Sequence, residues 1–308
     1  MPKITRKIKQ ISNLEHAKKK SMWVGSKKLQ TIELYTLSKI NDIKTFSLQK
    51  IKYAPAWYKI IDEVIVNAID HWVNYPKEVK NIKIYFNKEI GSIKIYNDGP
   101  SIGVYKVKNL QGEEMYAPQM IASEFLSGDN LDDNMESTTG GTNGAGLKLT
   151  NAFSDILTLK TCDIERKYYY TQEFKNRLEI IGKPKLRKIK SSEKKDFTEI
   201  EFTPSYEVFG YENGYEKKYG DDLEKLIIMR SYQAAVFTSS NIHYNNEKII
   251  ITDNKGKFSK SNIFKNFSYM YLNPDPSIEI SESIWNNKLV SKDSILKKYP
   301  WEICIGVS

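Results

Sequence analysis

Two cysteines in 308 residues, Cys162 and Cys304, are too few and too far apart for a disulfide framework or for a zinc site built on paired thiols. They read as ordinary thiols in a reducing compartment. No run of about 18 apolar residues is present, so no helix can be expected to span a bilayer, and the basic start MPKITRKIKQ lacks the apolar stretch of a secretory signal. The expectation is an intracellular protein with no membrane partner. Internal repeats and low-complexity tracts are absent. Two common phosphate-binding patterns are also missing, because no glycine-rich run ends in Gly-Lys-Ser/Thr and none keeps the G-x-G-x-x-G register.

What remains is a chain that is 40% hydrophobic and long enough for about two domains. Lysine and arginine number 47 against 38 Asp and Glu, a formal charge of +9. That charge suits work near a polyanion, and it equally suits the lysine-rich composition of an AT-rich genome. The most telling run is Gly140-Gly141-Thr142-Asn143-Gly144-Ala145-Gly146-Leu147-Lys148-Leu149. Closely spaced glycines let backbone N–H groups approach an anion, and a helix opening behind them favours the same charge. The run points to a nucleotide.

Upstream, residues 56–73 place Trp57, Ile61, Val64, Ala68 and Trp72 on a helical stripe, with Pro55 marking the boundary. A largely buried helix is predicted. Glu63 and Asn67 lie one turn apart on one face of it, with Asp70 and His71 a further turn along. Two alternating runs, residues 82–86 and 93–96, then read as a hairpin around Gly91. The second runs into the polar turn Asn97-Asp98-Gly99-Pro100. Taken singly, Glu63 is also consistent with a paired structural carboxylate, Asn67 with an amide bonded to backbone, and Asn-Asp-Gly with plain turn formation.

In that order, the three segments resemble the Bergerat-type (GHKL) ATPases, and in particular the ATPase region of type IIA DNA topoisomerases. Ile61-Asp62-Glu63-Val64-Ile65-Val66-Asn67-Ala68 is similar to that family's helix motif, and Asn97-Asp98-Gly99 and the glycine run are similar to the next two. The Gly-Gly-x-Asn-Gly-x-Gly-x-Lys-Leu form resembles the eukaryotic and viral branch. Residues 14–26 resemble the opening segment of that branch, and Trp301-Glu302-Ile303-Cys304 the start of the domain that follows the ATPase. His71 and Thr142 depart from the family pattern, which often has asparagine and arginine there.

The resemblance implies an α/β sandwich, a mixed sheet with helices on one face, over residues 1–272 with an exchanged N-terminal arm. Residues 273–308 would begin a transducer domain. It implies ATP and Mg²⁺ as cofactors, Glu63 as general base, Asn67 as metal ligand and Asn97 at the adenine. Gly128, Asp129, Asn130, Gly141, Thr142, Asn143, Gly144, Ala145, Gly146, Leu147 and Lys148 would complete the nucleotide site, although Lys148 is also consistent with a solvent-facing helix residue. Residues 127–139 form a long polar stretch of the kind that serves as a lid. The implied activity is that of the ATP-hydrolysing gate of a type II topoisomerase. It would dimerise on ATP, capture double-stranded DNA and work with the breakage-reunion part of the same enzyme. Its place would be intracellular: nucleus, host cytoplasm, or virion if viral. The alternatives are a nucleotide-gated dimerisation and DNA-holding module with little ATPase of its own, or another ATPase of the same fold, MutL-like or chaperone-like.

Elsewhere, residues 221–236 read as a helix with an acidic start, and residues 241–251 as a strand pair around Asn245-Asn246. The charge run at residues 183–196 reads as the solvated tip of a hairpin between strands 168–174 and 197–202, or as a DNA-contacting loop. A last strand is expected to begin at Trp301.

Overall fold

The structure is a computed structural model that describes residues 11–40, 43–125, 144–238, 240–251, 267, 270–271, 280–284 and 302–306. In chain order the elements are α1 (Asn13–Lys19), β1 (Gln30–Ile40), β2 (Ile43–Tyr53), α2 (Pro55–Asn74), β3 (Asn81–Asn87), β4 (Ser92–Asp98), β5 (Lys106–Lys108), β6 (Glu114–Tyr116), α3 (Ala117–Ser123) and α4 (Gly146–Ala152). There follow β7 (Ser154–Asp163), β8 (Tyr168–Lys175), β9 (Ile180–Ile181), β10 (Lys185–Lys188), β11 (Phe197–Pro204), α5 (Gly220–Phe237), β12 (Asn241–Tyr244), β13 (Glu247–Lys248), β14 (Ile280–Ile284) and β15 (Glu302–Gly306).

A nine-stranded sheet organises the molecule in the order β10-β8-β7-β11-β4-β3-β12-β13, with β9 paired to β8. β12 runs parallel to β3, and the other described pairs of this sheet are antiparallel, so the sheet is mixed as expected. Strand alternation sends Ile82, Ile84 and Phe86 of β3 and Ile93 and Ile95 of β4 to one face, where they are buried in the same core as Trp57, Ile60, Ile61 and Ile65 of α2. Each such fully buried side chain contributes about 1.5–3 kcal/mol. The opposite face carries Lys83 over the ring of Tyr96 (5.3 Å) and Lys94 over that of Tyr85 (4.5 Å), so alternation here separates an apolar face from a polar, aromatic one.

The helix predicted for residues 56–73 is α2, the hairpin is β3–β4, and the helix of residues 221–236 is α5, whose acidic first turn holds Asp221 and Asp222. Asn245 and Asn246, at φ +45° and +69°, form the tight turn between β12 and β13. The expected last strand is β15, antiparallel to β14.

One expectation is overturned. β8 and β11 do not form a hairpin, because β7 lies between them and pairs with both. Residues 183–196 instead supply the edge strand β10 and a turn after it, and Arg187 of β10 pairs with Glu193 and stacks on Tyr169 at 3.8 Å. Most of that charge run does face water. The long β1–β2 hairpin, which the sequence reading does not anticipate, packs along α5 through Phe46 and Tyr232, whose ring centroids are 5.7 Å apart. Among the described residues, no helix is long and apolar enough to cross a membrane. The exchanged arm and the boundary at residues 272–273 lie outside the described residues.

Candidate active site

Helix α2 crosses the buried face of the sheet and carries its polar residues on one line. Glu63 and Asn67 are one turn apart, and His71 follows after another turn. Glu63, whose side chain is 16% exposed, meets α4: a Cβ on Gly146 would collide with Oε2 of Glu63. At the other end His71 meets the β4 turn, its Nε2 lying 3.3 Å from where a Cβ on Gly99 would stand. Gly99 has φ +97°, and a Cβ there would come within 2.5 Å of Val79, so this turn needs glycine on both counts. Asn67, exposed, stands between the two contacts. The helix motif, the strand-end turn and the end of the glycine run therefore converge on one cleft.

The turn divides two adjacent polar residues between two tasks. Asn97 shares the inward parity of Ile93 and Ile95 and is 8% exposed, so it belongs to the cleft side of the sheet. Asp98 has the opposite parity, and its carboxylate accepts from the backbone N–H of Lys80 (2.7 Å) and of Asn81 (2.8 Å) and from Asn81 Nδ2 (2.6 Å). Asp98 builds the turn, while Asn97, whose Nδ2 donates to the Asp98 carbonyl at 3.2 Å, lies on the side that faces α2. Burial lowers the His71 pKa below the usual imidazole value, against the opposing effects of a hydrogen bond to Pro100 and the charge of Asp98.

The glycine side is anchored through residues that the sequence reading does not single out. Thr150 Oγ1 donates to the Ile60 carbonyl of α2 at 2.7 Å, and Asn151 Nδ2 donates to the Ala122 carbonyl of α3 at 2.9 Å. Their signal in the sequence is position alone, directly behind the glycine run. Gly144, at φ +54°, and the buried Ala145 lead into α4, in which Leu147 is 6% exposed and Lys148 3%. A burial that deep excludes the solvent-facing reading of Lys148. Gly128, Asp129, Asn130, Gly141, Thr142, Asn143 and the expected lid lie outside the described residues.

Among the described residues no three His, Cys, Asp or Glu side chains cluster to hold a metal. The amide of Asn67, an exposed residue, fits Mg²⁺, which takes one or two protein oxygens and fills its sphere with water and phosphate.

In the opening segment, Trp23 Nε1 donates to His16 Nδ1 at 3.0 Å and its ring meets Phe125 edge-on at 6.4 Å. Residues 11–26 are thereby tied to the end of the chain segment that leads out of α3.

No family model matches the chain. Individual proteins do. It is 29% identical over 306 residues to the DNA topoisomerase 2 of Meyerozyma guilliermondii, covering 97% of this chain and 20% of that protein. It is 35% identical over 241 residues to the DNA topoisomerase 2 of African swine fever virus (isolate Warthog/Namibia), covering 75% of this chain and 20% of the viral protein. The chain thus spans about a fifth of the length of these curated relatives. Among solved structures, the ATPase region of Saccharomyces cerevisiae topoisomerase II superposes with a TM-score of 0.78 at 27% identity, over 91% of this chain and 68% of that one. Sequence likeness, the shared fold and the convergence of three motifs on one cleft agree, and the chain belongs to the type II DNA topoisomerases, matching them in their ATPase region.

Proposed function

We propose that this chain binds ATP between α2 and the glycine run, hydrolyses it to ADP and phosphate, and serves as the ATP-operated gate of a type II topoisomerase. The observation that carries the proposal is the contact of the Glu63 carboxylate with Gly146, which sets a base against the loop that would hold the phosphates. In this reading Glu63 accepts the proton of the water that attacks the γ-phosphate. Backbone N–H groups of Gly144, Ala145 and Gly146 face the phosphates, joined by Lys148 and, from the lid side, by Gly128, Asp129, Asn130, Gly141, Thr142 and Asn143. Asn97 reads the adenine edge. The amide oxygen of Asn67 would hold the Mg²⁺ that accompanies ATP. When bound, that ion supplies positive charge to the phosphate oxygens.

The same proposal extends to the assembly. ATP draws two copies together, their N-terminal arms exchange, and the closed pair encloses a double-stranded DNA segment to be passed by the breakage-reunion part of the enzyme. Residues 273–308 would open the transducer that links the two parts. The protein would act within the cell, wherever that DNA lies.

A non-hydrolysable ATP analogue with Mg²⁺ is expected to double the mass of the chain in light scattering, with ADP leaving it unchanged. A chain that binds the analogue and stays monomeric at high concentration would remove the gate from this reading while leaving the nucleotide site in place.

A further inference from the structure

Glu63 makes a second contact besides the one with Gly146. Lys59, one turn earlier on α2, forms an ion pair with Oε1 of Glu63, while Oε2 is the oxygen that faces Gly146. The neighbouring carboxylate is already engaged, since Asp62 Oδ1 accepts from Arg230 Nε at 2.5 Å. Lys59 and Arg230 are thus sorted one to each carboxylate.

Helix stability does not explain Lys59. The lysine is 47% exposed, and surface ion pairs contribute about 0–1 kcal/mol. A lysine that precedes its glutamate by four residues has the weaker of the two orientations for such a pair, and this one sits near the positive end of α2, which starts at Pro55. The placement does fit a task in the cleft. A glutamate has three side-chain torsions, and its two oxygens exchange roles whenever the last one turns. An ammonium fixed on Oε1 stops that exchange and keeps Oε2 towards the glycine run.

We infer that Lys59 is a positioning residue for hydrolysis: by holding Oε1 of Glu63 it presents Oε2 to the attacking water. The inference rests on the reading of Glu63 as the general base. It assigns Lys59 no contact with the substrate and no share in its affinity.

The test is single-turnover ATP hydrolysis by excess protein, comparing wild type with Lys59→Met, Lys59→Arg and Glu63→Gln. Lys59→Met is expected to lower the maximal rate constant by about 10- to 100-fold, the range that a misdirected catalytic group costs. Its half-saturating protein concentration should stay within about twofold of wild type and its melting temperature should be unchanged. Lys59→Arg, which keeps a cation on Oε1, should recover the rate to within about threefold. A Lys59→Met rate within twofold of wild type, a loss that appears in half-saturation instead of rate, or an arginine variant as slow as the methionine one would overturn the inference. Glu63→Gln separates the two levels. If it loses turnover while Lys59→Met keeps it, only the positioning role fails; if Glu63→Gln itself keeps turnover, the general-base reading fails and the role of Lys59 fails with it.

Discussion

Glu63→Gln is expected to bind ATP as wild type does and to hydrolyse it about 10²- to 10⁴-fold more slowly, the range for loss of a positioned general base. The substitution keeps the volume and the reach of the side chain and removes its negative charge, and with it the capacity to accept a proton. Glu63 is held between Lys59 and Gly146, so the amide should occupy the same space, with its contact to Lys59 exchanged for a neutral one. Binding should survive because the affinity is assigned elsewhere, to Asn97, Asn67 and the backbone of the glycine run. Equilibrium titration with ATP and a phosphate-release assay read the two quantities separately. Turnover within about threefold of wild type would take Glu63 out of its role.

Gly146→Ala should have the second-largest effect, and it should separate catalysis from stability. The added Cβ would overlap Oε2 of Glu63, the far end of a flexible side chain, so the carboxylate gives way and the backbone does not. Gly146 opens α4 and has no positive φ, so an alanine there adds no backbone strain to the crowding. The melting temperature should therefore move by only a few degrees, while a base displaced by an ångström costs about 10²-fold in rate. Steady-state hydrolysis and thermal unfolding on the same preparation check both halves. A variant that unfolds at room temperature, or one that keeps full turnover, would show that Gly146 is placed for some reason other than the approach of Glu63.

The sequence displays the parts of this site that have strong periodicity. A 20-residue helix with eight buried apolar positions announces itself as α2, and the regular alternation of β3 and β4 yields the hairpin and delivers Asn97 to its end. The β1–β2 hairpin stays hidden because its pattern is mixed, with Phe46 and Ile51 buried beside threonines. Thr36 and Thr45 are buried at 0% and 1%, while Tyr35 and Leu48 are 45% and 54% exposed, so polarity does not report which face is inside. β7 is obscured for a related reason. Thr161, Cys162 and Asp163 are all buried in succession, with Asp163 accepting from the Val104 N–H at 2.7 Å, and no alternation marks the end of the strand. Missing β7 is what turns β8 and β11 into an apparent hairpin.

Within the site, residue spacing indicates which segments should meet, but contact geometry is beyond it. That Glu63 and Asn67 share a face follows from helical spacing; that Oε2 of Glu63 meets Gly146, some eighty positions away, follows only from the packing of α4 on α2 through Thr150 and Ile60. Lys59 was legible as a residue four positions before Glu63. Its pairing with Oε1 was not, since Asp62 offers an equally close carboxylate in sequence and Arg230, which takes Asp62, comes from α5.

The central claim is that one nucleotide lies in the cleft bounded by α2, the β4 turn and the glycine run. A crystal structure of the chain with a non-hydrolysable ATP analogue and Mg²⁺ tests it most directly. The γ-phosphate should lie on the Gly146 side, with a water about 2.6–3.2 Å from Oε2 of Glu63 and the adenine beside Asn97. An analogue bound anywhere else, with this cleft left to solvent, would contradict it.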